Sequence, residues 1–137
     1  MKFIVKRLRG GAEEEITVLR ERIHMPDVPY WGMIADTVGY IRITGFTVDG
    51  WKDVKRALTE LKKDPKLKRL VLDLRGNGGG LLDEAVNIVS LFVPSGTKVV
   101  SALGRFQQTD AIYFTKEEPV DLKLPLVVLV NSGSASS

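Results

Sequence analysis

From residue 37 onward the apolar positions of this chain alternate between two rhythms. Val38-Gly39-Tyr40-Ile41-Arg42-Ile43 reads as a strand, whereas Trp51, Val54, Leu58 and Leu61 recur at the spacing of one helical face, with Asp49 suited to the N-cap. Asp64-Pro65 closes that helix, because proline disfavours helical backbone in the residue before it. Leu70-Val71-Leu72-Asp73-Leu74 is a nearly continuous apolar strand, and Leu82, Ala85, Val86, Val89 and Phe92 then mark a second helical face that stops at Pro94. Residues 98 to 103 make a further strand candidate and residues 111 to 115 a weaker one. Residues 124 to 130 form the strongest apolar run, of the kind buried on both faces in a parallel sheet. The order strand, helix, strand, helix, strand predicts a layered α/β core.

Upstream of residue 36 the pattern is different. Phe3-Ile4-Val5 and Ile16-Thr17-Val18-Leu19 are short β-like runs joined through Gly10-Gly11 and three glutamates, which signals a hairpin. Two or three strands cannot bury a core, so this piece is expected to be the end of a small β domain that begins earlier. The next stretch, with Pro26, Pro29, Tyr30 and Trp31, reads as a linker that partly packs onto the principal domain. The expected division is therefore 1–23, a domain remnant; 24–36, a linker; and 37–137, the principal domain.

Composition narrows the function classes. With 137 residues, 44% of them hydrophobic, the chain can bury one sizeable core. Its net charge of +3 is spread among interspersed charges of both signs, which argues against a nucleic-acid interface. The densest basic stretch, residues 62 to 69, reads as a solvated helix end and loop. The absence of cysteine excludes a disulfide framework, a thiol nucleophile and a cysteine zinc site. No cofactor or metal is expected. No apolar run is long enough to span a bilayer, and Lys6, Arg7 and Arg9 come too soon after the first apolar residues for a secretory segment.

Two motifs could carry chemistry. Asp73-Leu74-Arg75-Gly76-Asn77-Gly78-Gly79-Gly80 lies where a buried strand gives way to a helix. A phosphate loop would need Lys and then Ser or Thr after the glycines, where Leu81, Leu82 and Asp83 stand; a dinucleotide fingerprint would need a small residue in place of Leu81. Two readings stay open, a glycine turn whose amides form an oxyanion site and a plain tight turn. The second motif, Asn131-Ser132-Gly133-Ser134-Ala135-Ser136-Ser137, comes directly after the most apolar strand. A sharp strand-to-helix turn presenting a hydroxyl stands there beside a plain Ser/Gly linker. Serine needs a base within hydrogen-bond reach. The only histidine, His24, is placed as a surface or packing residue, and the lysines lie mostly on solvated helix faces.

Taken together, these segments resemble the catalytic domain of the carboxyl-terminal processing peptidases, or tail-specific proteases, the S41 serine peptidases with a Ser-Lys dyad. The blocks that carry the resemblance are Val38-Gly39-Tyr40-Ile41-Arg42-Ile43-Thr44-Gly45-Phe46, the Asp73 to Gly80 motif with the strand before it, Leu126-Val127-Val128-Leu129-Val130-Asn131, and Gly133-Ser134-Ala135-Ser136. The resemblance implies a ClpP/crotonase-like layered core preceded by the last strands of a PDZ domain. It implies Ser136 as nucleophile, and an oxyanion hole made by the amide of Ser137 with that of Gly79 or Gly80, Gly80 being favoured. Ser137 stands where many members have alanine. The base would be a lysine beyond residue 137, so the chain is expected to be a fragment that ends at its nucleophile and is inactive alone. A protein substrate with an unstructured carboxyl terminus, an extracytoplasmic location for the parent, and self-association through truncated sheet edges complete the expectations. A non-catalytic relative that uses the same core to bind a ligand or protein is the alternative.

Overall fold

The computed structural model describes residues 1–6, 10–11, 13–19, 26–103 and 111–137. His24 and the expected boundary at residue 23 lie outside these. Strands β1 (Lys2–Lys6) and β2 (Glu13–Thr17) pair antiparallel as the expected hairpin. Phe3, Ile4 and Ile16 on it are exposed.

A four-stranded sheet organises the remainder, in the order β3 (Tyr30–Ala35), β4 (Val38–Arg42), β5 (Arg69–Asp73), β8 (Leu126–Leu129). Strand β3 runs antiparallel to β4; β4, β5 and β8 are parallel. Helix α1 (Gly50–Leu61) connects β4 to β5. Helix α2 (Leu82–Ser90) and a separate antiparallel hairpin, β6 (Lys98–Ala102) with β7 (Ala111–Phe114), lie between β5 and β8. Among the described residues no helix is long and apolar enough to cross a membrane.

Side chains alternate across a strand, so Ile41 and Ile43 of the β4 segment share a face with Leu70 and Leu72 of β5. Val54, Ala57, Leu58 and Leu61 of α1 close that face, joined by Ile88 and Leu91 from the α2 segment. Ile41, Leu58 and Leu70 are fully buried, each worth about 2 kcal/mol relative to an exposed position.

Three expectations change. Part of the stretch read as a linker, Tyr30–Ala35, is strand β3; its flanking prolines hid a run that β4 pairs. Asp49 does stand at the α1 N-cap position, yet its side chain makes no cap. Its carboxylate pairs with Lys52 at 2.6 Å. The Glu84 carboxylate of α2 accepts the Asp49 and Trp51 amides instead, both at 3.2 Å, and so satisfies the positive end of α1 from a neighbouring helix. Finally, β8 is not buried on both faces. It is the edge strand, and Val127 and Val128 are 55% and 47% exposed, because among the described residues β5 alone pairs with it.

Candidate active site

Parallel neighbours end at the same edge of a sheet, so the loops that leave β5 and β8 must meet. In open α/β sheets this carboxyl-terminal edge is where ligands bind. The amide of Leu74 donates to Leu129 O at 2.8 Å and extends the pairing into the loops. Asn131 Oδ1 accepts the amides of Gly76 and Gly133 at 2.9 and 3.0 Å. Ser134 Oγ donates to Leu74 O at 2.6 Å and accepts the Asn131 amide at 3.0 Å. From the other side, Asn77 O accepts the Ala135 amide at 3.0 Å. The glycine motif and the serine motif therefore form one interlocked turn pair.

Asn77, Asn131 and Ser134 hold this pair together, and sequence reasoning assigned none of them a role. Their signal was chemical: short amide and hydroxyl side chains directly after strands bond to nearby backbone and stabilise turns. Asn77 is buried, and its two amide atoms work in opposite directions. Its Nδ2 donates to Ile43 O at 3.2 Å, while its Oδ1 accepts the Gly79 amide at 2.8 Å.

That last bond corrects one expectation. The Gly79 amide is committed to Asn77 and is not available to an oxyanion. Gly79 serves by lacking a side chain: with φ at 95°, a Cβ there would lie 2.6 Å from Ser136 Cβ and 2.8 Å from Ala135 O. Among the described residues the amides of Gly80 and Ser137 have no acceptor. Ser137 Oγ donates to Gly80 O at 2.7 Å, so the two residues are in direct contact. Ser136 holds φ at 65°, a left-handed conformation costly for a residue with a Cβ and frequent where a side chain is held out for chemistry. Its hydroxyl has no hydrogen-bond partner among the described residues, and none of them is a base in reach of it.

Beside Ser136 lies an apolar cavity of about 380 Å³, walled by Phe46, Leu72, Leu82, Val86, Val128 and others, with Ser136 and Ser137 at its margin. The helical face read from Leu82, Ala85, Val86, Val89 and Phe92 lines this cavity; Ile88 lines it as well and, with Leu91, belongs to the core.

On the opposite face of the sheet, Asp73 ends β5 as a buried carboxylate. It accepts Tyr40 OH at 2.5 Å, the Arg75 amide at 2.9 Å, and Arg75 Nε and a terminal guanidinium nitrogen at 2.9 and 2.6 Å. These bonds, led by the Arg75 guanidinium, hold the Asp73 carboxyl well below the usual carboxylate range, and the same carboxylate raises Tyr40. Asp73→Asn is expected to cost about 2 kcal/mol at neutral pH, as charge-assisted bonds become neutral ones. A carboxyl depressed by folding stabilises the fold above its unfolded pKa of about 4 and loses that contribution as pH falls. The gap between the two proteins should therefore be full above about pH 5 and narrow progressively as pH falls below about 4. Denaturant titrations across that range check it; a gap independent of pH would rule out the ionised pair as its source.

The chain is similar to known proteins along most of its length. Residues 37–137 match the model of peptidase family S41. A curated protein of Staphylococcus aureus (strain N315) named "Probable CtpA-like serine protease" is 39% identical over 130 residues, which is 94% of this chain and 25% of that protein. The protein of the same name from Staphylococcus saprophyticus is 35% identical over 130 residues, 94% of this chain and 26% of its own length. This chain thus spans about a quarter of the length of the curated relatives it matches. Among solved structures, the photosystem II D1 C-terminal processing protease superposes with a TM-score of 0.67 at 30% identity, over 90% of this chain and 34% of the other. With a family match running from the start of the parallel sheet through the serine loop, and these relatives agreeing with it, the chain belongs to peptidase family S41.

Proposed function

We propose that the full-length protein is a serine endopeptidase that removes unstructured carboxyl-terminal segments from other proteins, with Ser136 as its nucleophile. The observation that supports this most is the Ser136 turn itself. An unpaired hydroxyl on left-handed backbone sits in a loop packed directly against the glycine turn, with the amides of Gly80 and Ser137 free nearby. Ser136 Oγ attacks the peptide carbonyl, and the two amides stabilise the oxyanion; one such donor is worth about 3 kcal/mol. The proton passes to a lysine beyond residue 137, kept neutral by burial, which returns it to the departing amine as the peptide C–N bond breaks; water, deprotonated by the same lysine, then attacks the acyl ester and frees Ser136. The apolar cavity beside Ser136 suits an apolar substrate side chain.

In this reading the layered core is of the ClpP/crotonase kind, residues 1–23 are the closing strands of a PDZ domain, and the parent works outside the cytoplasm, as the family resemblance implies. Among the described residues Ser136 has no base, and the 137-residue chain alone is expected to be inactive. The test is cleavage itself. Full-length protein is incubated with a folded carrier bearing an unstructured carboxyl-terminal extension, and products are tracked by intact mass. Loss of the extension with the carrier intact is expected; an unchanged extension overturns the proposal.

The exposed apolar edge of β8 supports a second expectation, that the 137-residue chain by itself self-associates there, since an uncovered apolar edge strand is a template for pairing. Sedimentation should show concentration-dependent association, and a clean monomer at high concentration would contradict it.

A further inference from the structure

Asp27 is a buried carboxylate that the chemistry above does not use; it lies just ahead of β3. Its Oδ2 accepts the amide and the hydroxyl of Thr47 at 2.7 and 3.1 Å. Its backbone carbonyl accepts the amide and the hydroxyl of Thr44 at 2.9 and 3.3 Å. One residue thus holds both ends of the stretch 44 to 47. Gly50 makes room for it. A Cβ on Gly50, the first residue of α1, would collide with the Asp27 carboxylate.

Between those two ends stands Phe46, and on Phe46 hangs the glycine turn. The Phe46 amide donates to Gly79 O at 3.1 Å, and the Leu81 amide donates to Phe46 O at 2.8 Å, which makes a parallel bridge centred on Gly80. These bonds use the groups on either side of the Gly80 amide and leave that amide free. The direction of the Gly80 N–H is therefore set by Phe46, and the position of Phe46 is set by Asp27.

We infer that Asp27 is a positioning residue for the oxyanion donor: it fixes residues 44 to 47, and through Phe46 it aims the Gly80 amide. It touches neither substrate nor nucleophile. The inference rests on the proposed role of Gly80 and makes a separate claim about what holds that amide in place. Donors to an oxyanion act only if they are already oriented, and a misplacement of about 1 Å can cost about a hundredfold in rate.

The experiment compares the full-length protein with Asp27→Asn, Asp27→Ala and Thr47→Val, the last removing a single hydroxyl donor. Cleavage of a model tail peptide is expected to show kcat lowered by about ten- to a hundredfold in Asp27→Ala, less in Asp27→Asn and least in Thr47→Val, with KM within about twofold. Binding of a peptide boronate, which mimics the tetrahedral adduct, should weaken in the same order. Hydrogen exchange gives a readout independent of activity: the Leu81 amide should exchange faster in the variants while the Leu58 amide in α1 keeps its protection. If Asp27→Ala does not fold, the two milder variants decide the matter. Parental kcat in Asp27→Asn and Thr47→Val, or a loss confined to melting temperature with kcat unchanged below it, overturns the inference. Failure of the parental protein to cleave, or cleavage by a Ser136→Ala protein at the parental rate, would instead refute the proposed function.

Discussion

In the full-length protein, Ser136→Ala is expected to lower tail cleavage by about 10⁴-fold or more while leaving folding and substrate binding intact. The stability expectation comes from the same geometry. Ser136 Oγ has no partner to lose, its side chain is exposed, and the left-handed backbone is equally strained for serine and alanine. Ser134→Ala is the informative contrast. The Ser134 hydroxyl joins Leu74 O to the Asn131 amide, so its loss should loosen the turn pair, by about 1 kcal/mol, and leave residual activity. Ser137→Ala should retain activity because the amide survives, although the bond from its hydroxyl to Gly80 O is lost. Rates under single-turnover conditions, set beside melting curves, separate the three. Parental cleavage by Ser136→Ala would move the nucleophile elsewhere.

The second large effect is expected at Gly80. Its φ is 150°, and a Cβ there would collide with Phe46 O and lie 2.8 and 2.9 Å from Phe46 C and N. These are backbone atoms held by the bridge, so they cannot give way as a flexible side chain would. Gly80→Ala should cost about 2–4 kcal/mol through overpacking and strain. At temperatures where the variant is still folded it should also lose about a hundredfold or more in kcat, as the amide is pushed out of line. Gly78 offers the control, since a Cβ there meets nothing within 4 Å and its φ is not positive. Gly78→Ala is expected to be near neutral. Gly76 falls between the two: its φ is 74° in open space, so alanine there costs only backbone strain, about 1 kcal/mol. Thermal melts of the three variants check this ranking, and equal melting temperatures would contradict it.

What could be read directly from the residues was the layered alternation. Strand β4, helix α1 and strand β5 each bury a face whose period is visible in the chain, and the blocks that carry the family resemblance fall on β4, β5, β8 and the loops that follow them. Strand β3 escaped because pairing with β4, not local preference, makes it a strand, and the prolines before it argue locally for a linker. The apolarity of β8 was legible; its exposure was not, because residue pattern states how much cover a strand needs and never what supplies it. Within the candidate site, Ser136 and the glycine run were found by motif. The assignment of one amide to Asn77 lies within that run, yet the bonds that Asp27 and Glu84 make to the approach and start of α1 join residues far apart in sequence. No window of local pattern contains both partners of those bonds.

The bond between Ser134 and Leu74 spans 60 positions, and the pairing of β5 with β8 that permits it encloses α2 and the second hairpin. Closing so long a loop carries an entropic cost that must be met before the turn pair forms. In kinetic terms the serine turn and the glycine turn are expected to come together late, because their contact spans the intervening elements. A nascent or partly unfolded chain would then carry all the residues of the turn pair without having brought them together.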